Sequence, residues 1–221
     1  CRRHRLITGV ATSVCRTNMA DLATEDFLRD LVRRGVHYAW SYLYRPVGPR
    51  PAPELALSAS EIRALREFLV DVRCRVPIMV VDAYWDDRGR ALCPAAIGLS
   101  HHVNPEGDIE PCPVIQFAAD RFAAGRPVVD TLASSAFLAE VRRVLKDEGG
   151  GCILLRRPDR LTAALDRTGA RDTTGRGSGR AELAAMAPRP DHDMGAQAIP
   201  ERHWLYRMAK RNFFLGFGAY G

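Results

Sequence analysis

Thr24-Glu-Asp-Phe-Leu-Arg-Asp-Leu-Val-Arg-Arg34, then Gly35, then Val36-His-Tyr-Ala-Trp-Ser-Tyr-Leu-Tyr44, is the stretch that decides the fold class of this 221-residue chain. Thr24 is a good helix N-cap, Glu25 and Asp26 suit the positive end of a first turn, and Gly35 can close the helix just past Arg34. Phe27, Leu28, Leu31 and Val32 fall on one face at helical spacing. Residues 36–44 are rich in aromatics and read as a strand. Working outward, residues 6–14 read as a buried strand. Ser58 and Glu61 make a capping box, with Leu57 and Ile62 as its hydrophobic staple. Ile62, Leu65, Leu69 and Val72 line a helix to about residue 73, and residues 76–81 form a third strand. The order strand–helix–strand–helix–strand, with connections of this length, favours parallel pairing. In α/β folds the chemistry sits at the C-terminal ends of strands, here residues 13–18, 44–48 and 82–87. Three strands neither close a barrel nor make a comfortable open sheet, so a truncated α/β domain is expected. The chain starts at Cys1, read as the start of a fragment rather than a lipidated residue, because Arg2-Arg3-His4-Arg5 leads straight into the first strand.

After Asp82 the pattern changes. Residues 88–117 read as turns and short strands. Asn104-Pro105-Glu106-Gly107 is a hairpin turn, since proline presets its φ and glycine accepts the left-handed position. Ser134 or Ser135 starts a helix bearing Phe137, Leu138, Val141, Val144 and Leu145, which Gly149-Gly150-Gly151 terminates. Cys152-Ile-Leu-Leu155 reads as a short strand, and Pro158 as the first turn of a helix to residue 167. Residues 171–180 read as a mobile loop. A last helix is expected from Pro200, with Trp204, Leu205 and Met208 apolar and Arg202, Arg207, Lys210 and Arg211 basic. The expected units are residues 1–87, 88–170, 171–199 and 200–221. No internal repeat is visible.

Apolar residues make up 47% of the chain, enough for a sizeable core, and the formal net charge is +6. Lysine occurs only at 146 and 210. The arginines are interleaved with acids, which reads as solvated faces rather than a nucleic-acid surface. No apolar run approaches about 18 residues, so no transmembrane helix is expected. The six cysteines (1, 15, 74, 93, 112, 152) lack a small-domain disulfide pattern, which points to a reducing, cytoplasmic setting.

Cys93 and Cys112 stand at either end of the predicted hairpin, with eighteen residues between them, and no C-x-x-C pair exists anywhere. That excludes a zinc-finger spacing but suits a metal or iron–sulfur site built from separated segments. Cys152 follows three glycines and is either a third ligand or a small buried hydrophobe. Cys74 reads as a packed thiol, and Cys15 is near the strand ends by position only. Ser13 and Asn18 either contact a cofactor or substrate, or close a loop by hydrogen bonds. Trp40, Tyr42 and Tyr44 share a strand face, lining a pocket or packing an interior. Asp82, Tyr84, Trp85 and Asp86 end the third strand, where a carboxylate either serves a substrate or caps a turn. His101 and His102 point to opposite sides of a strand, so at most one faces a metal. The last helix, with Trp204 and Tyr206, either covers the site or docks as an ordinary amphipathic helix.

Cys93 with Ser100-His-His-Val-Asn-Pro-Glu-Gly-Asp-Ile-Glu-Pro-Cys112 resembles the auxiliary-cluster region of radical S-adenosylmethionine (SAM) enzymes, where a C…I-x-P-x-G-D-x-x-P-C pattern follows the barrel in SPASM or twitch-type extensions. Gly9-Val-Ala-Thr-Ser-Val14 through Asn18, and Tyr42-Leu-Tyr-Arg-Pro-Val-Gly48, are similar to late barrel strands of the same group. The resemblance implies an α/β fold that is the C-terminal part of a partial (β/α)6 barrel followed by a small α+β auxiliary-cluster module. It implies a 4Fe–4S cluster on Cys93, Cys112 and Cys152, cofactor contacts from Ser13 and Asn18, and a substrate pocket of Tyr42, Tyr44, Asp82 and Trp85. SAM and a second 4Fe–4S cluster would be held mainly by a preceding part, because the family's C-x-x-x-C-x-x-C motif is absent here. The full SPASM cysteine set is absent too, which implies a single auxiliary cluster. A flavodoxin or ferredoxin would be the electron donor, and the substrate a small molecule or peptide. Two rival readings stand beside this one. One is a structural zinc module of a scaffold protein, with His101 or His102 as fourth ligand. The other is a metal-free α/β binding domain with buried thiols.

Overall fold

The structure is a computed structural model describing residues 2–82, 84–98 and 101–212. The expectation for Cys1 lies outside the described residues. The chain opens with strand β1 (Gly9–Val14), a short helix α1 (Met19–Leu22), helix α2 (Glu25–Arg33), strand β2 (Tyr38–Leu43), helix α3 (Ala59–Val72) and strand β3 (Met79–Val81). The three strands form one sheet in the order β1-β2-β3, all parallel, with Gly9 opposite Tyr38 and Tyr38 opposite Met79. The fold is thus α/β, and the sheet stays open: no barrel closes among the described residues.

The local signals act as expected. Thr24 Oγ1 accepts the Phe27 N–H at 3.2 Å, and Gly35 takes φ +81° just beyond α2. Ser58 and Glu61 close a full capping box on α3. Leu28 and Leu31 of α2, and Ile62, Leu65 and Leu69 of α3, bury against Val14, Ala39 and Val80 of the sheet to make a first core. The strands are shorter than the apolar runs suggest. Leu6 and Ile7 precede β1 and are exposed, Ile7 to 79%. Cys74 is exposed as well, a correction to its expected packing. It follows the last turn of α3, where no layer covers it.

Beyond Trp85 the chain builds a second core. Strands β4 (His102–Val103) and β5 (Ile109–Glu110) form the expected hairpin, with Val103 opposite Ile109 and Gly107 at φ +86° in its turn. Strand β6 (Phe117–Ala118) is followed by helices α4 (Val128–Ser134), α5 (Ala136–Asp147), α6 (Ile153–Arg156) and α7 (Pro158–Thr168). Ser135 is the N-cap of α5, accepting the Leu138 N–H, and α5 packs on α7. The expected strand at Cys152-Ile-Leu-Leu155 is instead the single helical turn α6. Ile153, Leu154 and Leu155 are all buried, so the run has no alternation to separate strand from helix. Residues 171–180, expected as a loop, contain strand β7 (Arg171–Asp172), paired antiparallel with β6, and the start of helix α8 (Gly179–Ala184). Asp172 orders this stretch by accepting the N–H groups of Thr174 and Gly179. Buried Glu110 ties the hairpin to it by accepting from Thr173 Oγ1 and Asn104 Nδ2 and meeting His102 Nδ1 at 2.7 Å.

The last helix, α9 (Trp204–Asn212), corrects two expectations. It starts four residues after Pro200, and Trp204, Leu205 and Met208 face outward while the cation Lys210 turns in. The reason is electrostatic. Lys210 Nζ reaches Asp82 Oδ1 at 3.0 Å and Glu201 at 2.9 Å, in a buried network that also holds Arg66 and Arg73. Arg66 meets both carboxylates, at 3.2 and 2.8 Å, and Arg73 stacks over the Tyr206 ring at 4.4 Å. This network locks α9 and Glu201 to the end of β3. No helix among the described residues is long and apolar enough to cross a membrane. Most other arginines pair with neighbouring acids on solvated faces, Arg29 with Glu25 and Arg143 with Glu140 and Asp147 among them.

Candidate functional site

Between the two cores, at the C-terminal ends of β1 and β2, lies a cavity of about 400 Å³. The parallel sheet contributes Ser13, Tyr42, Tyr44 and Arg45 to its wall, and the chain after β3 contributes Tyr84. The second core contributes Cys93, Cys112 and Cys152, with Ile115, Leu145 and Ile153 as apolar backing. Three thiols that are far apart in sequence therefore face one space.

Each cysteine is placed by a different local device. The Cys93 carbonyl accepts the Ala96 N–H in a tight turn. Cys112 follows β5 and bridges to Ile115, closing a second turn. Cys152 caps α6, its carbonyl accepting from Leu155 and Arg156. Gly151 before it has φ +77°, and any side chain there would run into the Asp191 carboxylate. That carboxylate accepts the Cys152 N–H directly. Glycine at 151 thus lets the 191–193 segment come against the cysteine.

Burial, then the neighbouring Cys152, raises the Cys93 thiol to about 11. Burial, then Cys93 and Cys152, raises Cys112 to about 12. Arg45 opposes the shift at both thiols, which places its guanidinium within electrostatic reach of them. Arg45 also lies over the Tyr84 ring at 5.0 Å. Tyr84 Oη accepts the Leu43 N–H at 3.1 Å, holding the ring against the end of β2. His192 is buried beside Tyr84, pushed down to about 4 by burial, and is therefore a neutral imidazole.

Several sequence expectations meet in this cavity and several do not. Ser13, Tyr42, Tyr44 and the three cysteines line it. Asn18 does not. Its Oδ1 accepts the Cys15 N–H at 2.8 Å and its Nδ2 donates to the Ser13 carbonyl at 3.0 Å, so it closes the loop after β1. Asp82 is spent in the ion network, and Trp85 is fully buried beside it, its Nε1 donating to the His192 carbonyl at 2.8 Å. Both lie behind the wall. Neither His101 nor His102 lines the cavity, and His102 is engaged by Glu110. Sequence reasoning did not single out Arg45, and it missed His192 altogether. Arg45 directly follows the aromatic strand at its C-terminal end, which is a usable signal. His192 lies 40 residues beyond Cys152 in a stretch with no periodicity, and nothing local marks it.

Among the described residues no three His, Cys, Asp or Glu side chains are gathered tightly enough to grip a single ion. A tetrahedral zinc with Zn–S near 2.3 Å needs its sulfurs about 3.8 Å apart. A cluster takes one thiolate per iron, so its ligands need not converge on a point. Three thiols lining one cavity are the donor type that an iron–sulfur group takes.

The raised thiols give a pH dependence for the metal-free chain. Between about 9, the ordinary thiol value, and about 12, the unfolded chain releases protons that Cys93 and Cys112 retain when folded, so stability falls as pH rises. The midpoint of urea unfolding is expected to drop from pH 8 to pH 10. At neutral pH exposed Cys74 is expected to alkylate before Cys93 and Cys112, which are half-buried and have raised thiols, read by mass spectrometry. Equal rates at all three would contradict the burial.

No family model matches the chain, and no curated protein or solved structure is detectably similar to it.

Proposed function

We propose that this chain is the C-terminal part of a radical SAM enzyme, in which Cys93, Cys112 and Cys152 hold an auxiliary 4Fe–4S cluster beside the substrate pocket. β1 to β3 would be the last strands of a partial (β/α)6 barrel. The observation that carries the reading is the meeting of three dispersed thiols in one cavity at the C-terminal ends of parallel strands. A cluster bound there would supply an electron path or a site for holding substrate. The chain's own residues do the rest. Tyr42, Tyr44 and Tyr84 wall the pocket with aromatic surface, and Arg45 brings positive charge toward anionic thiolates. Ser13 offers a hydroxyl at the end of β1 for a cofactor or substrate. SAM and the cluster that cleaves it would be bound mainly by a preceding part of the protein, with a flavodoxin or ferredoxin as electron donor.

The test is anaerobic reconstitution with ferrous iron and sulfide, followed by iron and sulfide analysis and visible absorption. Iron and sulfide near four per chain, with a broad brown absorption, are expected. A colourless protein that retains zinc in preference to iron, or one that retains neither, would sink the reading. Ligation needs thiolates, so loading releases protons and is expected to strengthen as pH rises from 7 to 8.5.

A further inference from the structure

We propose that His192 is the fourth ligand of this cluster, binding iron through Nδ1. The inference rests on the cluster reading above and adds to it the non-thiolate ligand and the atom that would bind.

His192 is held between the segments that carry two of the three cysteines. Its Nε2 lies 3.1 Å from the carbonyl oxygen of Leu92, the residue before Cys93. The residue before it, Asp191, accepts the Cys152 N–H. The ring itself lines the same cavity as all three thiols. A carbonyl oxygen only accepts, so Nε2 carries the proton and Nδ1 carries the lone pair. Nδ1 has no hydrogen-bond partner among the described residues. The buried side-chain atoms that lack a partner are His101 Nδ1, Asp120 Oδ2 and Glu201 Oε2. Nδ1 of His192 is not one of these, so it is not fully enclosed, and the ring borders both this cavity and a smaller one lined by Leu57, Ile62 and Leu155. A histidine that binds a metal through one nitrogen ordinarily donates the other N–H to a carbonyl or carboxylate, which fixes tautomer and orientation. The Leu92 contact is that arrangement already in place.

The ring is also fixed from behind. Tyr84 packs on it at 5.0 Å between centroids, Trp85 meets it edge-on at 6.1 Å, and Trp85 Nε1 holds its main-chain carbonyl. Competing ligands are engaged. Asp191 uses one carboxylate oxygen on Cys152 and the other on the Asp193 N–H, and His102 is held by Glu110. Histidine ligation of an iron–sulfur centre is chemically ordinary, as the two-histidine Rieske centres show.

The experiment is pulsed electron paramagnetic resonance on the full 221-residue chain, reconstituted anaerobically, reduced, and prepared with natural or 15N-labelled histidine. The expected result is a strong coupling to a directly bonded nitrogen that changes with the label. It should persist in His101→Ala and His102→Ala and vanish in His192→Gln. Glutamine fills similar space and can still donate to the Leu92 carbonyl, so loss of the coupling there does not reduce to misfolding. Because the wild-type spectrum alone reveals histidine nitrogen, the test does not depend on any variant folding. Iron bound without a label-sensitive coupling, or a coupling that survives in iron-loaded His192→Gln, overturns the assignment and leaves the cluster reading standing. No iron in the wild type overturns both.

Discussion

Asp82→Ala is expected to leave the chain unfolded or barely folded at neutral pH. The Asp82 side chain is fully buried and meets Arg66, Arg73 and Lys210. Burial by itself would raise its carboxyl, but Lys210, Arg73 and Arg66 outweigh that and hold it well below the ordinary carboxylate range. Alanine would leave three buried cations facing the single carboxylate of Glu201. Breaking a buried ion pair from one side costs about 3–5 kcal/mol, because the partner charges stay desolvated. A domain has only about 5–15 kcal/mol in total, so the loss is a large share of it. The sign with pH follows from the depressed value. The stabilisation is fully present above the ordinary carboxylate value of about 4 and is lost progressively as pH falls below it. Urea unfolding followed by circular dichroism, for wild type and for Asp82→Asn and Asp82→Ala, checks this. A midpoint for Asp82→Ala within error of wild type would mean the network adds nothing. The network also connects β3, α3 and α9, so its loss should release α9 first. Faster proteolysis after Arg207 or Arg211 would report that step.

Serine at Cys93, Cys112 and Cys152 together is expected to take iron content from about four per chain to near zero after reconstitution. Single substitutions should each lower it, and Cys74→Ser should not, because Cys74 is exposed and does not line the cavity. A buried serine hydroxyl without a partner costs about 1–3 kcal/mol, so iron is to be compared in variants that still show native circular dichroism. Alanine at the same positions removes that hydroxyl and serves as the second variant. Wild-type iron content in the triple variant would show that the iron sits elsewhere. Equal loss in Cys74→Ser would show that the effect is non-specific.

The chain's local chemistry was sufficient for its local structure. Thr24 and Ser58 cap helices through contacts three residues away, and Gly35 and Gly107 need only their own backbone freedom. The strand–helix alternation of the first 81 residues implied a parallel sheet, because connections of that length return the chain in the same direction. The hairpin turn at 104–107 was legible too, but it pairs only residues 102–103 with 109–110, and separate turns at Ala96 and Ile115 place Cys93 and Cys112. What sequence alone left undecided depends on partners far along the chain. Lys210 looks like a solvated cation until Asp82, 128 residues earlier, takes it inside. Asp82 looks like a pocket carboxylate for the same reason. Cys152-Ile-Leu-Leu155 is apolar throughout, so its turn of helix was set by packing on every side rather than by a period. His192 reached the cavity only because Asp191 grips Cys152 and Leu92 receives its ring N–H. Caps, turns and periodicity are short-range and written in neighbouring residues. Buried charges and converging ligands are long-range, and only the closing of the two cores on one another decided where those groups would stand.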